Sequence, residues 1–316
     1  MEIFLPGKAE TFSVREARAY LSNFVLELDR IPFTAAERTA LTDRKLLGKL
    51  VDVRTRPAFL NHFAPLLVEA VRGLWGEGGG RCPVVGERKR IVELGCGSGT
   101  CAILFGLLGA QVTALDQDPV LVSAARRRLR FYQGVVANRR SQKSEVRTLK
   151  SEVRIPDSIL PSVFRFLPSE GGPSAGRAGR WPVAGGQDVR FERADVFAFD
   201  YSRIAPIDGV YSLFAFNLMQ PSLRLLDAIT PHLALDARLV ISDGNRDGLY
   251  NRLFRARRCL SPRQVGQALE ERWQHVRLLS ESFHAPVPQA VKRLAERTGF
   301  SRWLGVSYTL VAVKGE

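Results

Sequence analysis

Along residues 13–75 apolar side chains recur three and four positions apart, the period of a helix with one buried face. After Ser13 they fall at Ala17, Tyr20, Leu21, Phe24 and Leu28. Ser13 and Glu16 have the spacing of a capping box, and Thr34 with Glu37 repeats it before a second helix. A third pattern runs from Pro57 through Phe63, Leu66, Leu67 and Val71, and Gly76-Glu77-Gly78-Gly79-Gly80 then reads as a linker. Residues 1–80 are therefore expected to form a helical cap, one that either covers the following sheet or closes over a site at its edge.

From Arg90 the texture changes to short apolar strands alternating with helices, which predicts a parallel sheet with helical crossovers. The expected strands are Ile91–Leu94, Gln111–Asp116, Val189–Ala194, Gly209–Phe216 and Arg238–Ser242. Helices are expected at Gly99–Leu108, Pro119–Phe131 and Pro288–Thr298. Two last strands, Trp303–Val306 and Tyr308–Val313, lie too close together to be anything but antiparallel. The pattern predicts an α/β fold over residues 81–316: a doubly wound, mostly parallel seven-stranded sheet with an antiparallel last strand. Residues 139–187 break the rhythm. They hold the repeat Lys143-Ser144-Glu145-Val146-Arg147 and Lys150-Ser151-Glu152-Val153-Arg154, followed by glycine-rich stretches. A compact domain needs only a few residues at this point, so the segment reads as a basic, partly flexible surface insertion.

Charge modifies this picture only locally. The chain has 316 residues and a net charge of +14, from 46 Lys and Arg against 32 Asp and Glu. A basic surface attracts phosphate whatever the sequence, which keeps nucleic acid among the partners to consider. Much of the excess, however, lies between Arg126 and Arg193, in and around the insertion. No apolar run approaches the roughly 20 residues that span a bilayer. The amino end lacks a basic stretch followed by an apolar core, so a secretory leader is not expected. The cysteines at 82, 96, 101 and 259 lack metal-ligand spacing, and a reducing cytoplasm is the expected compartment.

The chemistry gathers around Glu93-Leu94-Gly95-Cys96-Gly97-Ser98-Gly99-Thr100, placed between a strand and a helix. Glycines there allow a sharp turn and a close ligand approach, and the helix start offers free N–H groups. A dinucleotide site would want a third glycine where Thr100 stands. Asp116, at the end of the second strand, is placed to accept hydrogen bonds from a ribose.

Taken together, these features resemble the class I S-adenosylmethionine-dependent methyltransferases. The E-x-G-x-G-x-G run matches Glu93–Gly99, and the acidic end of the second strand matches Asp116. Ala194-Asp195-Val196 matches the acidic residue after the third strand, and Asp208–Phe214 matches the fourth strand. The resemblance implies that Gly95, Cys96 and Gly97 approach the methionine portion of the cofactor, with Glu93 ordering the turn. It implies further that Asp116 holds the ribose, Gln117 and Asp195 flank the adenine with Val196, and Leu213 or Phe214 lies near the sulfonium.

Methyl transfer asks mainly for alignment, with a base only where the acceptor must lose a proton. The catalytic candidates are Asn217, after the fourth strand, and His284, before the last helix, which could act as the base but has a structural reading as well. The chain lacks the Pro-Pro-aromatic run that amine and nucleobase methyltransferases of this superfamily carry after that Asn. The tail of the domain is similar to the ubiquinone-biosynthesis type, which implies an O or C atom of a small or lipid-like acceptor. RNA or protein methylation through the basic insertion is the alternative, and a non-catalytic scaffold the third.

Overall fold

The computed structural model of the chain describes residues 2–43, 47–76, 88–152, 188–246, 260–282 and 307–315. Four helices come first: α1 (Val14–Arg30), α2 (Ala35–Asp43), α3 (Gly48–Val51) and α4 (Arg56–Trp75). Both expected capping boxes form. Ser13 Oγ accepts from the Glu16 N–H at 3.3 Å while Glu16 Oε2 accepts from the Ser13 N–H at 2.9 Å. Thr34 and Glu37 exchange the same pair of bonds at 3.2 and 2.8 Å. The sheet region then runs β1 (Arg90–Leu94), α5 (Thr100–Leu107), β2 (Gln111–Asp116), α6 (Pro119–Glu152) and β3 (Val189–Arg193). It continues with β4 (Ile207–Leu213), α7 (Ser222–Ile229), β5 (Leu233–Gly244), α8 (Pro262–Glu270), β6 (Gln274–Ser282) and β7 (Ser307–Val313).

The seven strands form one sheet in the order β3-β2-β1-β4-β5-β7-β6. β1 through β5 pair in parallel, whereas β7 runs antiparallel to both β5 and β6. Strand alternation divides the apolar side chains between two cores. Ile91, Val112, Ala114, Val240 and Val311 face the core made with the N-terminal helices, α5 and α6. Val92, Leu94, Leu115, Leu239, Ile241 and Leu310 face the other, made with α7 and α8. Burial on both faces is why the parallel strands read as nearly unbroken apolar runs. The chain leaves β1 toward β2 on one side and returns to β4 on the other. In open α/β sheets that reversal opens a crevice at the carboxyl ends of the strands.

Two expectations need correcting. The place beside β7 is taken by Gln274–Ser282, not by Trp303–Val306, which fall outside the described residues. Gln274–Ser282 mixes polar residues with Val276, Leu278 and Leu279, as suits an edge strand whose one neighbour among the described residues is β7. The helix expected to end near Phe131 instead runs 34 residues to Glu152, through the start of the expected insertion. The rest of that insertion (153–187), the expected helix Pro288–Thr298 and His284 lie outside the described residues. Among the described residues no helix is long and apolar enough to cross a membrane.

The helices before residue 80 are built into the sheet's covering layer. α4 lies against β4, β5, β6 and β7. It comes so close that a Cβ added at Gly73 would sit 2.8 Å from Val240 Cγ2 and 2.9 Å from Val311 Cγ2. Arg238 Nη1 donates to the Gly73 carbonyl at 3.3 Å, and Lys89 Nζ to the Leu74 carbonyl at 2.8 Å. Gly73→Val should therefore push α4 off the sheet and cost about 1–3 kcal/mol of stability, the usual scale of overpacking. Denaturant melts of the two proteins check this, and equal midpoints would show that α4 does not rest on these strands.

Candidate functional site

The turn after β1 is held from two sides. Gly95 and Cys96 both donate their N–H groups to the Leu115 carbonyl at 2.9 Å, and Gly99 N–H bonds the Cys96 carbonyl at 2.9 Å. Gly97 donates its N–H to Asp116 Oδ2 at 2.7 Å, while Asp116 Oδ1 accepts from the Asp118 N–H at 2.9 Å. Gly95, Gly97 and Gly99 all have positive φ (69°, 52° and 74°). At Gly95 a Cβ would collide with Ala215, and at Gly99 with Phe191 and Ala125. At Gly97 it would meet nothing within 4 Å, so this glycine faces open space.

That space is a cavity of about 660 Å³, within the range of small-molecule sites. All ten residues expected to hold the cofactor line it. Glu93, Gly95, Cys96 and Gly97 come from β1 and the turn, and Asp116 and Gln117 from the end of β2. Asp195 and Val196 follow β3, and Leu213 and Phe214 close β4. Its polar groups thus sit at the carboxyl ends of the strands.

Glu93 is a perturbed acid of this wall, beside the buried thiols of Cys96 and Cys101, which burial also pushes well up. It is buried, and burial pushes its carboxyl up to about 8, with the Asp116 carboxylate adding to the rise. The Ala102 N–H and the Cys101 thiol hydrogen-bond it and oppose that rise. Oε2 is buried with no hydrogen-bond partner among the described residues. Phe214 is strained instead of charged. Its φ is 53°, unusual for a non-glycine residue, and its ring lies 5.5 Å from that of Phe63 on α4. Such strain is commonest at ligand sites. Asp195 also caps its own turn, since Oδ1 accepts from the Phe197 N–H at 3.0 Å.

Asn217 is not part of the cavity wall. It is 3% exposed, its Oδ1 accepts from the Leu260 N–H at 2.9 Å, and its own N–H donates to Asp243 Oδ2 at 2.8 Å. Asp243 also accepts from the Gly244 N–H, and burial raises its carboxyl to about 6. The pair ties the loop after β4 to the end of β5, and the expected catalytic Asn217 lies outside the cavity lining. The other half of the cavity comes from the N-terminal helices, whose closing over a site the sequence left open without naming the residues involved. Leu21, Leu41, Phe59, Phe63 and Leu67, from α1, α2 and α4, supply an apolar wall facing the turn. Phe59 and Phe63 stack with centroids 4.2 Å apart. Their four-residue spacing was visible, but it reads equally as ordinary core.

A family profile described as a methyltransferase domain matches residues 69–303. Comparison with curated protein sequences returns no match. Solved structures with similar folds include the plantazolicin methyltransferase BpumL in complex with SAH, at 14% identity and a TM-score of 0.45, over 96% of this chain and 98% of that one. A SAM-dependent methyltransferase from Archaeoglobus fulgidus has 14% identity and a TM-score of 0.43, over 79% of this chain and 92% of its own. An S-adenosylmethionine-dependent methyltransferase from Mesorhizobium loti has 15% identity and a TM-score of 0.43, over 78% and 97%. The profile takes in both the glycine turn and the strands that carry the cavity, and by that match the chain belongs to the methyltransferase-domain family, as an S-adenosylmethionine-dependent enzyme.

Proposed function

We propose that this chain moves a methyl group from S-adenosylmethionine to an oxygen or carbon atom of a small or lipid-like molecule. The observation that carries this reading is the two-sided cavity, polar at the strand ends and apolar beneath α1, α2 and α4. The residues present fit the cofactor. Gly97 leaves room where a side chain would intrude, and Glu93 offers a buried carboxyl oxygen with no partner among the described residues. Gly95 and Gly97 would receive the methionine portion, Asp116 the ribose hydroxyls, and Gln117, Asp195 and Val196 the adenine. Leu213 and Phe214 would flank the methyl-bearing end.

S-adenosylmethionine supplies a methyl group already bonded to a good leaving group. The protein's share is then to line up the acceptor and keep water away. Leu21, Phe59, Phe63 and Phe214 suit both tasks for an acceptor that is itself apolar. The carboxylates of the lining, Glu93, Asp116 and Asp195, stand at the cofactor end. An acceptor whose oxygen or carbon is already nucleophilic needs no base from the apolar wall. His284 is retained as a candidate base only in the sequence, outside the described residues.

The reaction is tested by incubating the protein with methyl-labelled S-adenosylmethionine and a cell extract. Label should move into molecules that partition into an organic phase. Label in RNA or protein instead would promote macromolecular methylation through the basic insertion.

Two variants address the cofactor end. Gly97→Arg should leave the chain folded, with no heat on calorimetric titration with S-adenosylhomocysteine, because the arginine occupies the ligand's space. A folded variant that binds as well as the parent removes the assignment of the turn. Glu93 gives a pH signature. In the free protein its carboxyl is protonated below about 8, and a ligand carrying an ammonium group favours the ionised form. Binding then releases a proton, so affinity should rise from pH 6 to pH 8, by up to about tenfold per unit, and level off above. Glu93→Gln should bind more weakly and with a flat profile over that range. A flat profile in the parent protein would mean that Glu93 does not face the cofactor's charge.

A further inference from the structure

The far side of the glycine turn rests on a buried charge. Arg128, on α6, has a side chain only 2% exposed, yet it carries a full guanidinium charge. Its Nη1 donates to the Ser98 carbonyl at 2.7 Å and to Thr100 Oγ1 at 2.9 Å. Both residues also line the cavity. The other edge of the same guanidinium meets Glu27 on α1, from Nε at 2.5 Å and from Nη2 at 3.2 Å. Glu27 is completely buried. It also accepts from the Tyr132 hydroxyl at 2.6 Å, and Tyr132 in turn accepts from Asn23 Nδ2 at 3.1 Å. A second tie runs directly from α1, where the Tyr20 hydroxyl donates to the Thr100 carbonyl at 2.7 Å.

Stability is a poor reason for such an arrangement. Taking two charges out of water costs several kcal/mol per ion, and well-packed apolar residues often do as well or better in their place. What the pair supplies is geometry. A planar guanidinium can hold a carboxylate with one edge and two acceptors of a turn with the other, which a lysine or an apolar side chain cannot do. Without this clamp, the Ser98 carbonyl and Thr100 hydroxyl lose the charged donor that fixes the rim of the turn.

We propose that Arg128, Glu27 and Tyr20 are positioning residues that hold the Ser98–Thr100 rim in the shape that receives the cofactor. α1 is then part of the cofactor site, although none of these three side chains lines the cavity. This rests on the reading that S-adenosylmethionine binds at the turn. The parent protein's titration with S-adenosylhomocysteine tests that reading on its own, and the variants test the clamp.

Three variants are compared by thermal melting and by calorimetric titration with S-adenosylhomocysteine. Arg128→Lys keeps the charge opposite Glu27 but loses the fork. The double variant Glu27→Leu with Arg128→Met replaces the pair by apolar residues of similar size. Tyr20→Phe removes one hydroxyl and no volume to speak of. The double variant should melt at or above the parent's temperature while binding at least tenfold more weakly. Arg128→Lys should also lose at least tenfold, and Tyr20→Phe at least threefold with its melting temperature unchanged. A purely structural network would move affinity and melting temperature together. The proposal is overturned if the double variant, or Arg128→Lys should the double variant not fold, binds within threefold of the parent.

Discussion

The hydrogen bond from the Gly97 N–H to Asp116 Oδ2, at 2.7 Å, joins the turn after β1 to the end of β2. Everything at the site depends on it. The two strands lie side by side in parallel, with Leu94 opposite Leu115, so their carboxyl ends emerge together. Only a backbone with positive φ can turn back from β1 into α5 in so short a distance, which is why three glycines alternate there. Gly95 and Gly99 are dictated by packing against Ala215 and Phe191. Gly97 is dictated by the space beyond it, which makes it the most informative of the three.

The cavity brings together halves of the chain that differ in character. The strand ends contribute carboxylates and backbone groups, while α1, α2 and α4 contribute leucine and phenylalanine side chains. The helices also seal the sheet, with Gly73 of α4 against Val240 and Val311. Covering the sheet and closing over a site were alternatives in the sequence; the same helical layer both packs on the sheet, through α4, and lines the cavity. Phe214 marks the seam, a strained residue at the end of β4 whose ring faces Phe63 of α4. Burial has a cost at the polar end, where it drives Glu93 toward the protonated form, so a cationic ligand there would restore the charge that the fold suppresses.

The parts of this account that were legible in the sequence are those fixed by short-range rules. Capping boxes at Ser13 and Thr34, the alternation in β1 through β5 and the glycine turn all rest on spacings of a few residues, and all form. The ten residues expected to hold the cofactor all line the cavity, because they lie at or just after the strand ends, where topology gathers them. Errors came where the determinant is tertiary. β6 has one strand neighbour among the described residues and a polar-rich sequence, so its pairing with β7 is what reveals it. α6 passes the expected loop boundary because nothing in residues 132–152 forbids a helix. Asn217, expected at the site by its position after β4, accepts from the Leu260 N–H and does not line the cavity. Arg128 stands within Arg126-Arg127-Arg128, where sequence offers no sign that only the third is wholly buried.

The most direct test is a crystal structure of the protein with S-adenosylhomocysteine. The account predicts the methionine portion against Gly97 with its amino group toward Glu93, the ribose hydroxyls on Asp116 and the adenine between Gln117 and Val196. The sulfur should point toward Phe214 and the apolar wall of α1 and α4. A ligand seated elsewhere, or with its sulfur turned away from that wall, would contradict it.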